Sequence, residues 1–140
     1  MDVDEAIPDI QKIRAIAAGL SRSPDDIYLV LSEIYGVGRK WLKSGQVWEI
    51  RDGVIRRMGL RFDRRVKKRL FRFLIEVGYD VNVKLRSRYA NALRYAHAHG
   101  CPRDSLREFL KSRGGIEKCD KRFRARQKKS LLEANNTRTT

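Results

Sequence analysis

A single, mainly α-helical domain, with one β-hairpin over residues 46–58 and a basic C-terminal arm, is the fold this sequence predicts, on three observations. Apolar residues recur at three- and four-residue spacing through most of the chain. Capping residues open and close those stretches. Only around Asp52-Gly53 does the pattern favour a different period, with β-branched residues on both sides of a turn pair. A chain of 140 residues that is 41% hydrophobic can build one core without staples, and the two cysteines, Cys101 and Cys119, are too few for a disulfide framework.

The elements follow in order. Residues 1–7 are expected to be a flexible N-terminus, and Pro8 to Leu20 reads as a helix through Ile10, Ile13, Ile16 and Ala17. Ser23-Pro24-Asp25-Asp26 is a strong start signal: a capping hydroxyl, a proline suited to the first helical position, and two acids at the positive helix end. Ile27, Val30, Leu31, Ile34 and Tyr35 continue that helix until Gly36-Val37-Gly38, which is expected to interrupt it before a short Arg39 to Leu42 piece. Val47 to Met58 then reads as a hairpin turning at Asp52-Gly53; a helix through Val47, Ile50, Val54 and Met58 also fits, and the hairpin is favoured. Asp63 caps a basic helix to Val77. Its apolar stripe is Val66, Leu70, Phe73, Leu74 and Val77, with Phe71 off the stripe. Arg86 to His99 is helical, Gly100 ends it where a left-handed residue is wanted, and Pro102 opens a further helix bearing Leu106, Phe109 and Leu110. Gly114-Gly115 closes that helix. The domain is therefore placed at residues 8–119, followed by a basic, partly disordered arm over 120–140.

The charge of +15 is an argument about partners. It is unevenly placed: residues 1–35 hold 3 basic and 7 acidic side chains, residues 36–75 hold 13 and 3, and residues 76–140 hold 16 and 7. Seven basic side chains fall between Arg61 and Arg72, with Arg57 just upstream. An acidic first quarter suited to self-association or a protein partner, joined to a basic remainder suited to phosphate, is the division of labour this implies.

Residues 92–109 resemble a helix-turn-helix. Such a unit wants a small residue where two helices touch, a glycine four places later, and apolar residues one, six and nine places beyond it. Here these are Ala96, Gly100, Cys101, Leu106 and Phe109, while His99 departs from the usual apolar choice. The same spacings also suit a plain helical hairpin. A second arrangement, in the order of a winged helix, runs from the Ser23 helix through Gly36 to the Asp52-Gly53 hairpin, with Arg39, Lys40, Lys43, Arg51, Arg56 and Arg57 as its cations.

The expected function is that of a non-enzymatic protein binding double-stranded DNA, as a transcriptional regulator or a replicon maintenance factor. Its contacts are expected from Arg64, Arg65, Lys67, Lys68 and Arg72 in the basic helix, and from Arg103, Arg107, Lys111 and Arg113 in the second helix of the motif. Lys121, Arg122, Arg124 and Arg126 of the arm complete the set. RNA or ribosome binding and docking of an acidic protein are the alternatives. Oligomerisation is expected through the acidic N-terminal helices. No apolar run of secretory or membrane-spanning type is present, so a cytoplasmic protein, nucleoid-associated in a bacterium, is expected. The spacing of His97, His99, Cys101 and Cys119 does not suit a zinc set, and no phosphate-cradling loop or nucleophile constellation is present, so neither cofactor, metal nor catalysis is expected.

Overall fold

In the computed structural model, which describes residues 1–61 and 69–138 with side chains to Glu133, the described chain is all α, with seven helices, one 3-10 turn and no strand. The first helix, α1 (Val3–Ala18), begins inside the segment expected to be a flexible N-terminus, residues 1–7. Asp2 accounts for this: its side chain accepts the Glu5 N–H at 3.0 Å, and Asp4 and Glu5 complement the positive helix end, so the helix starts a turn before Pro8. Ala6, Ile10 and Ile13 are its buried face.

Helix α2 (Pro24–Lys43) starts as expected, with Ser23 Oγ accepting from the Asp26 amide, but it runs unbroken through Gly36-Val37-Gly38. Both glycines are sites of close approach. A Cβ at Gly36 would collide with the Arg103 side chain and one at Gly38 with the Phe71 ring, so packing here overrides the low helix propensity of glycine. The buried Tyr35, Val37 and Trp41 interleave with them and fix the helix against the core.

The expected hairpin over residues 46–58 is instead helix α3 (Val47–Met58), and with the hairpin goes the wing of the winged-helix arrangement. Ile50 and Val54 are buried at helical spacing, and buried Gly53 lets Val3 of α1 press against the α3 backbone. Asp52, which would have turned the chain, accepts two bonds from Arg51 at 2.8 and 3.1 Å. The left-handed residue that this stretch does need is Gly59, at φ 64°, closing the helix.

Helix α4 (Leu70–Gly78) is buried on most sides, through Leu70, Phe71, Phe73, Leu74, Ile75 and Gly78. Arg69 before it is extended, at φ −106° and ψ 98°, so the helix expected from Asp63 to Val77 is not continuous through this residue. Phe71, expected off the apolar stripe, is stacked on Tyr35 with ring centroids 5.7 Å apart and meets His97 edge-on, because α4 lies between α2 and α5.

Helix α5 (Val83–Ala98) is capped by Asn82, which accepts from the Leu85 amide at 2.9 Å. It ends in a Schellman arrangement: Gly100 at φ 68°, its N–H on His97 O, and the Cys101 N–H on Ala96 O. After a 3-10 turn (Arg103–Ser105) come α6 (Leu106–Ser112) and α7 (Ile116–Arg138), separated by Gly114 and Gly115, both at positive φ. The arm expected to be partly disordered, residues 120–140, thus continues a 23-residue helix that begins at Ile116. Cys119, Asp120 and Phe123 anchor its first turns on α5 and α6, and Arg94 lies 4.5 Å over the Phe123 ring. One apolar cluster joins all seven helices.

Candidate nucleic-acid interface

From Arg124 to Glu133 every residue of α7 is exposed. At 100° per residue, Lys118, Arg122, Arg126 and Lys129 fall within about 80° of one another, spaced four, four and three apart. They form a row about 16 Å long at 1.5 Å per residue. None of the four meets an acidic side chain among the described residues, and Arg122 donates to the Arg113 carbonyl at 2.6 Å. The other cationic stripe of α7 differs: Lys121 pairs with Glu117, and Arg124 with Asp120. Buried Asp120 takes two bonds from Arg124, both at 3.2 Å, and one from Asn91 Nδ2 at 2.9 Å, pinning α7 to α5. Between the two helices runs an open groove lined by Val83, Lys84, Ser87, Arg88, Asn91, Asp120 and Arg124. Arg72 of α4 reaches Ser87 on its wall.

The expected contact residues therefore divide. Arg64, Arg65, Lys67 and Lys68 lie outside the described residues. Arg103 is paired with Glu33 and Arg107 with Asp25, while Lys111 sits 5.6 Å from the Tyr28 ring centre, so the side of α6 expected to be free lies along α2. Arg113 stacks over Phe109 and its guanidinium contacts the Tyr95 hydroxyl. Arg122 and Arg126 share the α7 row, and Lys121 and Arg124 share its acid-paired side. Sequence reading saw a basic run from Lys118 to Lys129 but not the row that joins those two to Arg122 and Arg126, and it missed Lys84 and Arg88 in the groove. The signal for the row was its helical spacing, hidden because Ile116, Cys119 and Phe123 make so short an apolar face.

Burial pushes the Cys101 and Cys119 thiols up, with no partner close enough to reverse it, so both stay protonated at neutral pH. Burial, with Arg39 nearby, pushes His97 down and keeps it neutral there. Burial lifts the Tyr35 phenol to about 12, which leaves it a donor to the Cys101 carbonyl at 2.6 Å. Among the described residues no three His, Cys, Asp or Glu side chains converge as a metal site, and no helix is long and apolar enough to cross a membrane.

No protein-family description, curated protein or solved structure matches this chain.

Proposed function

We propose that this protein is a non-enzymatic binder of double-stranded DNA, and that α7 is the element that lies along the phosphate backbone. The observation that carries the reading is the row Lys118, Arg122, Arg126 and Lys129, whose charges have no acidic partner among the described residues. A row of four cations about 16 Å long is long enough to meet several successive phosphates of one strand. Lys84 and Arg88, across the groove from Arg124, extend the cationic surface onto α5. The helix-turn-helix-like unit of α5 and α6 then serves mainly as a platform. Its packing positions Ala96, Cys101 and Leu106 are buried, but Arg103 and Arg107 are held by acids of α2 and are not offered to base edges. Backbone-led contact of this kind gives strong salt dependence and modest sequence discrimination, and it suits a role in transcription control or replicon maintenance.

The test is a fluorescence-anisotropy titration of the full chain against a labelled random duplex, with unlabelled duplex and a structured RNA as competitors. Stronger competition by duplex is the expected result. Preferential competition by RNA would overturn the duplex assignment, and no binding to either at low salt would leave an acidic protein as the partner.

A further inference from the structure

Away from α7, a second concentration of positive charge lies between α2 and the turn that opens α6. Arg39, Lys40, Lys43 and Arg103 line a cleft there with Gly36 and Pro102, and no carboxylate is part of its lining. Its walls are prepositioned. Arg39 donates to the Cys101 carbonyl and lies 5.6 Å from the Tyr35 ring centre. Arg103 is tied to Glu33 behind it, and Lys40 to Asp9 at 2.8 Å, whereas Lys43 has no acidic partner among the described residues. Glu33 is shared with Lys12, at 3.4 Å. Against four lining cations stand two carboxylates behind the wall and the carboxyl end of α2, worth about half a negative charge, so the cleft keeps roughly +1.5. Another arginine-lined cleft, between the ends of α1 and α4, lacks this surplus. Arg14, Arg22 and Arg86 donate there to carbonyls of Val77, Asp80 and Val81, and Glu76 and Asp80 share the lining.

Gly36 makes the cleft possible. Any Cβ at this position would overlap the Arg103 side chain, so the glycine is what lets that arginine lie against α2 and bring its charge beside Arg39. We propose that this cleft is a binding site for a phosphate group, with Arg39, Lys43 and Arg103 as its donors. It deepens the DNA-binding reading if the phosphate belongs to a duplex backbone, and stands apart from it if the phosphate belongs to a small molecule.

Titration of the ¹⁵N-labelled full chain with inorganic pyrophosphate tests the site. The expected result is saturable shifts of the Gly36, Lys43 and Arg103 amides. Lys43→Gln weakens that binding about three- to fivefold, as befits one partly solvated ion contact. Gly36→Ala weakens it without removing a charge, by displacing Arg103. A variant with Lys118, Arg122, Arg126 and Lys129 changed to Gln keeps the site intact, so failure of the α7 reading and failure of this one look different. Displacement of pyrophosphate by a duplex assigns the phosphate to DNA, and no displacement assigns it to a small phosphorylated compound. Shifts that do not saturate, or that persist undiminished in both Lys43→Gln and Gly36→Ala, overturn the site.

Discussion

The two glycines in the middle of α2 are predicted to respond differently to the same substitution. Alanine in place of glycine inside a helix gains about 1 kcal/mol from propensity alone. At Gly38 the new methyl would meet the Phe71 ring, which is buried, stacked on Tyr35 at 5.7 Å and edge-on to His97 at 5.9 Å. A ring held on two sides cannot swing away, and overpacking of this kind costs about 1–3 kcal/mol. Gly38→Ala is therefore expected to lose up to about 2 kcal/mol net. At Gly36 the obstacle is the half-exposed side chain of Arg103, which is free to move at the cost of its ion pair with Glu33, about 1 kcal/mol. Gly36→Ala should then stay near wild type. Urea unfolding followed by circular dichroism measures both, and adding Phe71→Leu should turn Gly38→Ala from a loss into a gain by making room. If Gly38→Ala proves at least as stable as Gly36→Ala, the packing argument fails.

Three further outcomes follow from particular contacts. Leu93→Ala, at a fully buried position of α5, should cost about 2–5 kcal/mol in the same unfolding assay, and a loss well below that range would mean that α5 is not central to the core. Asp120→Asn should lower stability by about 1–3 kcal/mol while raising duplex affinity, since it weakens the buried anchor and releases the Arg124 charge; unchanged affinity would exclude Arg124 from the interface. Asp26 accepts from the Ser21 hydroxyl at 2.6 Å and its amide at 2.9 Å, which holds its carboxyl below the usual aspartate range. The stabilisation is thus present above the unfolded value of about 3.9 and is lost as pH falls through the lower folded value. A carboxyl NMR titration in which Asp26 protonates at or above the ordinary value would contradict it.

Much of the helical content was legible because it rests on local chemistry. Ser23-Pro24, the spacing of Ile10 and Ile13, and Gly100 as a left-handed terminator each act within a few residues of the feature they determine. What was not legible depends on distant partners. Asp52-Gly53 is a strong turn signal in isolation, yet Val3, some fifty residues earlier, needs the bare backbone of Gly53 for helix-to-helix contact. Gly36 and Gly38 look like a break until Arg103 and Phe71 are brought against them. The interface was only partly legible for the same reason. Composition identified the cations, but which of them are neutralised depends on tertiary pairs such as Arg103 with Glu33 and Arg107 with Asp25, separated by 70 and 82 residues. A run of basic residues over 121–129 gives no hint that α7 sorts them into an acid-paired side and an unpaired row.

The most direct test of the central claim is the salt dependence of duplex affinity, compared between the native chain and the variant with Lys118, Arg122, Arg126 and Lys129 changed to Gln. Circular dichroism would confirm that both are folded. Each phosphate contact contributes about 0.9 to the slope of log affinity against log salt concentration, so the variant's slope should be shallower by about 3.6. Equal slopes in the two proteins would contradict the assignment of α7 to the phosphate backbone.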